Sequence, residues 1–193
     1  MVNLLAVVLF AISMLIGNNF SSYLSSMFIA FSFVVMISAY AYFSNDEHKL
    51  AGVISLTFAV IYAVIICLVY FAQLTTIHKG GLTQQASDLL DFQKFGLYFN
   101  YDMLGYAMMA LSTFFAGLTV GTKSKADKCL KTLLMIHGIF FISCFIAPML
   151  GIFTADGDPW IGVALLEFWC LYFIPVSVLS FFNFKRRKVE AGT

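Results

Sequence analysis

Charged side chains are scarce in this sequence. Asp, Glu, Lys and Arg make up 11% of its 193 residues, against about 25% in a typical soluble domain. Hydrophobic residues make up 61%, and Phe alone occurs 22 times. A soluble fold of this length has too little interior for so many apolar side chains, so most of the surface is expected to face lipid. No segment rich in Pro, Ser or charge divides the chain, which predicts one domain over residues 1–193.

Sequence signals for common chemistries are also missing. The four cysteines show no CxxC spacing, which argues against a disulfide framework and against a thiolate zinc site. No Walker loop, GxGxxG, HExxH or GxSxG motif occurs, so no cofactor is implied. The formal net charge is +1, which gives no reason to expect a nucleic-acid partner.

Long apolar stretches are abundant. A helix needs about 20 apolar residues to cross the bilayer core, and polar clusters divide the sequence into stretches near 2–20, 24–43, 51–77, 101–121, 130–153 and 160–184. The first stretch lacks the basic start and the cleavage pattern of a signal peptide, so we interpret it as a retained helix. The sequence therefore predicts an all-α membrane protein, a bundle of six transmembrane helices in the cell membrane.

The basic residues lie in alternate connections. Lys49 lies between the second and third stretches, four lysines lie between the fourth and fifth, and the run 185–188 follows the sixth. Because cytoplasmic loops retain Lys and Arg, this pattern predicts that both termini are cytoplasmic. Membrane lipids are expected partners, and the same basic segments could bind anionic headgroups.

Small residues at helical spacing indicate which helices pack closely. The motifs are Ser112-xxx-Ala116 and Gly117-xxx-Gly121 in the fourth stretch and Ala59-xxx-Ala63 in the third. They predict that these two helices are interior, because small residues let backbones approach in lipid. The same faces could instead contact a second copy or a partner membrane subunit. Pro148 and Pro175 predict kinks in the fifth and sixth helices.

The longest outer connection covers residues 78–100. Thr83 is a plausible N-cap, and Asp88, Asp91 and Lys94 recur at helical spacing opposite Leu89 and other apolar residues. This pattern predicts a short interfacial helix over 83–94 on the outer face, between the third and fourth spans. A lid over a binding cavity is the alternative.

Glu167 is the most informative single residue. An ionisable group at the centre of a membrane helix costs about 2.5–3.5 kcal/mol on insertion scales, and it usually faces a cavity or a partner. Glu167 lies roughly 10 Å along its helix from Trp160, at 1.5 Å per residue. The expected ligand-binding residues of an outward-facing pocket are Glu167, Asp102, Gln73, Tyr106 and Trp160. The alternative is a protonated Glu167 that only holds a neighbouring helix.

The three histidines fall at different depths. His137 is predicted to form a hydrogen bond between helices, while His48 lies in a cytoplasmic loop and His78 at the outer end of the third span. A metal centre of three histidines is excluded on this topology. A mixed site from His78, Asp102 and Glu167 remains open.

Three functions are compatible with these features. The first is binding or transport of a small molecule or lipid in an outward-facing pocket. The second is an intramembrane enzyme acting on a lipid, and the third is a non-catalytic assembly or signalling subunit. The predicted plan is similar in architecture to the substrate-binding membrane subunits of energy-coupling-factor vitamin transporters. The first helix has Ala6 and Ala11 but no Ala-xxx-Ala motif of the kind those subunits use to dock their partner, so membership does not follow.

Overall fold

The computed structural model describes residues 1–153 and 159–191, and regular structure in these two ranges is helical throughout. The helices are α1 (Val2–Leu15), α2 (Asn19–Tyr42), α3 (Lys49–Ala72), α4 (Gln84–Leu90), α5 (Leu97–Leu118), α6 (Lys125–His137), α7 (Phe140–Met149) and α8 (Pro159–Ala191). A π-helical turn, Gln73–Ile77, continues α3. Short 3-10 turns occupy Asp46–His48 and Phe92–Lys94.

Four helical segments in the described ranges are long and apolar enough to cross a membrane. They are Asn19–Tyr42, Asp46–Ile77, Lys125–Met149 and Trp160–Val189. Helix α1 is apolar but has only 14 residues. Helix α5 has 22 residues, with Asn100 and Asp102 in its first half. The architecture is consistent with an all-α membrane protein.

Local capping moves several helix ends away from the predicted stretches. Helix α1 ends at Leu15, before Gly17 adopts a left-handed φ of 68°. Asn18 then caps α2 by accepting the N–H of Ser21. The first stretch, predicted over 2–20, is therefore divided by a tight turn, because Gly tolerates positive φ and Asn is a preferred N-cap.

Helices α5, α6 and α8 extend beyond their predicted bounds. Helix α5 begins at Leu97, four residues before the predicted 101. Helix α6 begins at Lys125 because Ser124 and Asp127 form a reciprocal capping box. Helix α8 continues to Ala191, past the predicted 184. The boundaries at 101, 130 and 184 were wrong because polar side chains also form helix when their backbone is capped or their side chains are paired.

The predicted fifth span contains a break that the prolines did not indicate. Helices α6 and α7 are separated at Gly138, where an added Cβ would lie 2.9 Å from Cβ of Phe114 on α5. The break therefore occurs where the backbone of one helix approaches another closely. Pro148 lies in the last turn of α7, and α8 passes through Pro175 without interruption.

Helices α3 and α5 form the most extensive helix pair of the bundle. Two buried serines link their backbones reciprocally. The Ser55 hydroxyl donates to the Ser112 carbonyl at 2.7 Å, and the Ser112 hydroxyl donates to the Ser55 carbonyl at 2.8 Å. About two turns from Ser112 along α5, Gly105 leaves so little space that an added Cβ would lie 2.9 Å from Cδ1 of Ile66. Small residues and hydroxyl groups thus allow the close approach that membrane helices require.

The other small residues of the predicted motifs are mostly used inside the chain. Ala59 and Ala116 are fully buried. Gly117 faces α6, where an added Cβ would lie 2.8 Å from Cγ of Met135. Gly121 lies past the end of α5 and is exposed. The close packing of the third and fourth predicted helices is confirmed, but α3 also has an exposed face that includes Val64 and Leu68, so its interior position was overestimated. The motif residues within these helices pack against other helices of the same chain.

His137 joins three helices. The indole N–H of Trp169 on α8 donates to Nε2 of His137 at 3.0 Å, and Nδ1 lies 2.8 Å from Oγ1 of Thr113 on α5. Because indole only donates, Nε2 carries no proton, and a neutral ring holds its proton on Nδ1 and donates to Thr113. The Thr113 hydroxyl in turn donates a hydrogen bond to the Ala110 carbonyl. The predicted helix-packing role of His137 is confirmed.

Two arginines of the basic run close one end of the bundle. Arg186 pairs with Asp127 and donates to the Ser124 hydroxyl at 3.2 Å. Arg187 donates to the carbonyls of Phe43 and Thr119, which follow the C-terminal ends of α2 and α5. Cations are favourable at helix C-termini, where carbonyl groups lack partners. The run therefore joins helix ends in addition to setting the charge of this side.

The outer connection contains a helix that is shorter than predicted. Helix α4 covers Gln84–Leu90, and the Thr83 hydroxyl accepts the N–H of Ala86, so the predicted cap is confirmed. The helix ends at Asp91, whose side chain accepts the N–H of Gln93 and begins a 3-10 turn. Asx turns of this kind compete with helix, which explains why the pattern over 83–94 overestimated the length.

We expect Trp169→Phe to destabilise the bundle by about 1 kcal/mol, since it keeps an aromatic ring but leaves Nε2 of His137 without its donor. Thermal unfolding in mild detergent measures the change. Trp160→Phe, at a side chain that is 68% exposed, is the matched control and should have a smaller effect. Equal melting temperatures for Trp169→Phe and the wild type would contradict the role of His137 as a junction.

Candidate functional site

Asp102 occupies a buried position in the first half of α5. Its side chain is only 3% exposed, and its Oδ1 atom has no hydrogen-bond partner. Buried carboxylate oxygens are normally hydrogen-bonded, because an unpaired one loses its hydration without compensation. Asp102 is therefore a position where a proton, a water molecule or a ligand would be stabilised.

Tyrosine side chains surround Asp102. The Tyr70 hydroxyl lies beside the Asp102 carboxyl group. The hydroxyl groups of Tyr62 and Tyr106 are close enough to interact electrostatically with the same carboxyl group. The rings of Tyr62 and Tyr106 are 6.0 Å apart between centroids. We call Asp102, Tyr62, Tyr70 and Tyr106 the Asp102 cluster. It combines one carboxyl group with hydroxyl groups that can donate or accept, on α3 and α5.

The outer connection covers this cluster. Phe92 places its ring 5.9 Å from that of Tyr70 and 6.0 Å from that of Tyr23 on α2. On its other side, Phe92 lies 5.3 Å from the ring of Phe99. The packing is aromatic and edge-to-face or tilted, as is favourable for such rings. Phe92 therefore acts as an apolar cap between the Asp102 cluster and the outer side of the bundle.

Gln73 fixes the connection with both ends of its amide. Nε2 donates to the Leu90 carbonyl at 2.7 Å, and Oε1 accepts the N–H of Phe92 at 3.1 Å. Gln73 is buried and begins the π-helical turn at the end of α3. Such turns are frequent at functional sites. In this conformation the Gln73 amide holds Leu90 and Phe92 of the outer connection rather than facing an empty space.

Close approach also fixes the start of α5. An added Cβ on Gly96 would lie 2.1 Å from the Asp88 carbonyl oxygen of α4. The preceding residue, Phe95, has a φ of 54°, a left-handed conformation that is uncommon for a large side chain. The connection is thus folded back tightly against the beginning of α5 and has a defined conformation.

Glu167 lies on α8, two residues before Trp169. It is half-buried, and its Oε1 atom is buried without a hydrogen-bond partner. Two residues further along α8, Trp169 is buried and packs edge-to-face on Tyr106 at 5.8 Å. Tyr106 thus joins α5 to α8 through Trp169, whereas Glu167 lies about 200° around α8 from Trp169.

The structure brings some of the five predicted ligand-binding residues together. Asp102 and Tyr106 belong to one cluster, and Gln73 follows Tyr70 by one helical turn. Glu167 lies on α8, which contacts Tyr106 through Trp169. Trp160 is 68% exposed, about two turns further out along α8. Sequence reasoning missed Tyr62, Tyr70 and Phe92. Tyr62 and Tyr70 recur on the same α3 face as Gln73, and polar aromatic residues at helical spacing in an apolar helix could have identified them.

The mixed metal site is not assembled. Within residues 1–153 and 160–189, no group of three or more His, Cys, Asp or Glu side chains is placed to hold a metal ion. His78 packs instead against the ring of Phe20 at 5.3 Å. The larger of two described cavities, about 400 Å³, lies between α1, α2 and α8 and includes none of the five predicted residues.

We expect Gln73→Leu to loosen the outer connection, because it removes both of the hydrogen bonds from Gln73 to that segment. Amide hydrogen exchange at Phe92 should then become about tenfold faster, as a loss of about 1.4 kcal/mol implies. Gln85→Leu, at an exposed position of α4, is the matched control and should leave that exchange rate unchanged. Equal protection of Phe92 in both variants and the wild type would show that Gln73 does not hold the connection.

Comparison with known proteins adds no assignment to this geometry. No protein-family model matches the chain, no curated protein is significantly similar to it, and no solved structure matches its fold. The function of the chain must therefore be inferred from the geometry of the site.

Proposed function

We propose that this chain is a multi-pass protein of the cell membrane that binds or transports a small molecule or lipid from the outer side. In this proposal α1, α2, α3, α5, the α6–α7 pair and α8 are six spans, and both termini are cytoplasmic. The proposed ligand-binding residues are Asp102, Glu167, Tyr106 and Trp160, and Gln73 joins them when its hydrogen bonds to the connection open. The observation that carries the proposal is the buried Oδ1 atom of Asp102, which lacks a partner beneath a fixed aromatic cap.

The distribution of charge supports this orientation. One end of the bundle contains the Arg186–Asp127 pair, the Arg187 contacts and the beginning of α6 with its lysines. The opposite end contains the turn at Asn18 and the connection with α4, where Asp88 and Asp91 are matched by Lys79 and Lys94. A strongly basic end opposite an end whose described charges balance is what the positive-inside rule associates with the cytoplasmic and outer faces.

An unpaired carboxyl oxygen favours a binding role over a purely structural one. A structural acid in lipid is expected to use its oxygens in hydrogen bonds between helices, as Ser55 and His137 do with their polar atoms. Asp102 and Glu167 each retain one buried oxygen without a partner. A ligand with hydrogen-bond donors or a positive charge would satisfy them and would gain electrostatic energy in a medium of low dielectric constant.

The lid gives the site a route to the outer side. Phe92 and Gln73 are held by aromatic contacts and two hydrogen bonds rather than by a covalent link. Lids of this kind open on microsecond to millisecond timescales, because the lost contacts amount to a few kcal/mol. Opening of the connection would expose Asp102 to water and to ligand.

The assembly-subunit hypothesis has less support. The small-residue motifs that could have formed a dimer face are used mainly within the chain, as Ala59, Ala116 and Gly117 show. The proposed function therefore takes the outer site as its centre.

Reporter fusions test the topology. Fusions after residue 90, in α4, and after residue 126, in α6, should report opposite sides of the membrane, with residue 90 outside. The physical reason is the retention of the basic end in the cytoplasm. Finding both reporters on one side would rule out the six-span arrangement.

Conservative substitutions test the ligand site. We expect Asp102→Asn and Glu167→Gln to keep the shape and the melting temperature of the protein. Each should reduce at least tenfold the amount of any small molecule that copurifies in mild detergent, because an amide cannot supply the negative charge of a carboxylate to the ligand. Mass spectrometry of extracts from equal amounts of protein measures this. Asp46→Asn, at an exposed acid of the opposite end, is the control.

Apolar variants complete that test. Asp102→Leu and Glu167→Leu separate a structural from a binding role, since only a structural hydrogen bonder is needed for stability. If the Asn, Gln and Leu variants all retain the wild-type melting temperature and the same set of copurified molecules, the outer binding site is wrong.

A further inference from the structure

The larger described cavity is a groove between α1, α2 and α8, and its lining includes no residue of the Asp102 cluster. Its volume is about 400 Å³, within the range of about 300–1,000 Å³ found for ligand sites. Its walls include Phe28, Phe31 and Val35 of α2 and Phe181 of α8, which are all exposed in the bundle. We call it the α2–α8 groove.

The polar groups that border the groove are satisfied by one another. The Ser177 hydroxyl donates to Oδ1 of Asn3 at 2.9 Å, and Nδ2 of Asn3 donates to Oγ of Ser32 at 3.1 Å. Ser32 donates onward to the Phe28 carbonyl at 2.6 Å. The Ser180 hydroxyl is hydrogen-bonded to Tyr40 at 2.6 Å and donates to the Val176 carbonyl. The groove therefore offers an occupant mainly apolar contact, which suits a hydrocarbon chain.

Positive charge lies at one end of the groove. On α8 the groove is lined by Ser177, Phe181 and Phe184, a stripe with helical spacing whose next member is Lys188. Lys185 follows Phe181 by four residues, on the same side. Both lysines are exposed, unlike Arg186 and Arg187, which contact other helix ends. Lys188 stands about 6 Å beyond Phe184 along the helix axis, at 1.5 Å per residue.

We propose that the α2–α8 groove binds a phospholipid with an anionic headgroup, with an acyl chain against Phe28, Phe31 and Phe181 and the phosphate beside Lys185 and Lys188. An apolar groove that ends in exposed cations complements such a lipid, and basic sites between membrane helices on the cytoplasmic side bind anionic headgroups. The assignment of this lipid to the cytoplasmic leaflet rests on the proposed topology. The site itself is independent of the outer pocket.

Native mass spectrometry of the full chain in mild detergent tests the headgroup. With equal amounts of dioleoyl phosphatidylglycerol and dioleoyl phosphatidylcholine added, the wild type should retain the anionic lipid roughly tenfold more. Lys185→Ala with Lys188→Ala should bring the two lipids to similar retention. The matched control, Lys125→Ala with Lys128→Ala, removes the same charge from exposed positions of α6 and should keep the preference. Equal losses in both double variants would overturn the proposal.

A filled groove tests the acyl-chain site. Ala39 lines the groove, so Ala39→Phe should reduce retention of both lipids about tenfold while the melting temperature stays within a few degrees of the wild type. Ala164→Phe, at an exposed position of α8 outside the groove, should retain wild-type lipid binding. A diazirine-bearing phosphatidylglycerol should also crosslink to Phe31 or Phe181 in the wild type. Unchanged retention in Ala39→Phe, crosslinks elsewhere only, or a groove-dependent dimer in the mass spectrum would each overturn the proposal.

Discussion

Close backbone contact between α3 and α5 determines where the other parts of this protein lie. Lipid is as apolar as the helices themselves, so there is little hydrophobic gain when membrane helices associate. The reciprocal serine pair and the space left at Gly105 supply the contact instead. That contact brings Tyr70 of α3 beside Asp102 of α5 and places Gln73 where it can hold the outer connection. The candidate site is thus a direct result of how the two helices pack.

The presence or absence of hydrogen-bond partners for buried side-chain atoms distinguishes the helix-packing contacts from the candidate site. In the part of the chain that the structure describes, four buried side-chain atoms have no hydrogen-bond partner, namely His48 Nδ1, Asp102 Oδ1, Glu167 Oε1 and Asn183 Oδ1. His48 and Asn183 lie toward the basic end, where other hydrogen-bonding groups are close. The two carboxylate oxygens lie on α5 and α8, away from that end. This contrast is why the two acids, rather than His137, define the candidate site.

Much of the helical plan could be predicted from the sequence, because length and hydropathy alone decide whether a segment suits a bilayer. The N-cap at Thr83, the packing role of His137 and the close packing of α3 on α5 also followed from local chemistry. The break at Gly138 could not be predicted, since it depends on the approach of Phe114 from another helix. Similarly, nothing local in the sequence shows that Gln73 would bond to Leu90 and Phe92, or that the Arg187 side chain would reach two helix ends.

The prediction of the site was limited for the same reason. Asp102 and Glu167 could be selected because an acid in an apolar stretch is conspicuous. The tyrosines around Asp102 have no such contrast with their neighbours, and only the packing of α3 on α5 identifies them. The apolar α2–α8 groove was invisible in the sequence because its residues are ordinary members of apolar helices.

The length of α3 has a consequence for the surrounding bilayer. The continuous segment Asp46–Ile77 has 32 residues, or about 48 Å at 1.5 Å per residue, against a hydrocarbon core of about 30 Å. Even a tilt of about 40°, the upper end of the usual range, leaves about 37 Å along the bilayer normal. The first four residues, Asp46 to Lys49, are polar and suit the headgroup layer. In the proposed topology the π-helical turn and Gln73 occupy the other end, so a change in membrane thickness would act on the segment that covers Asp102.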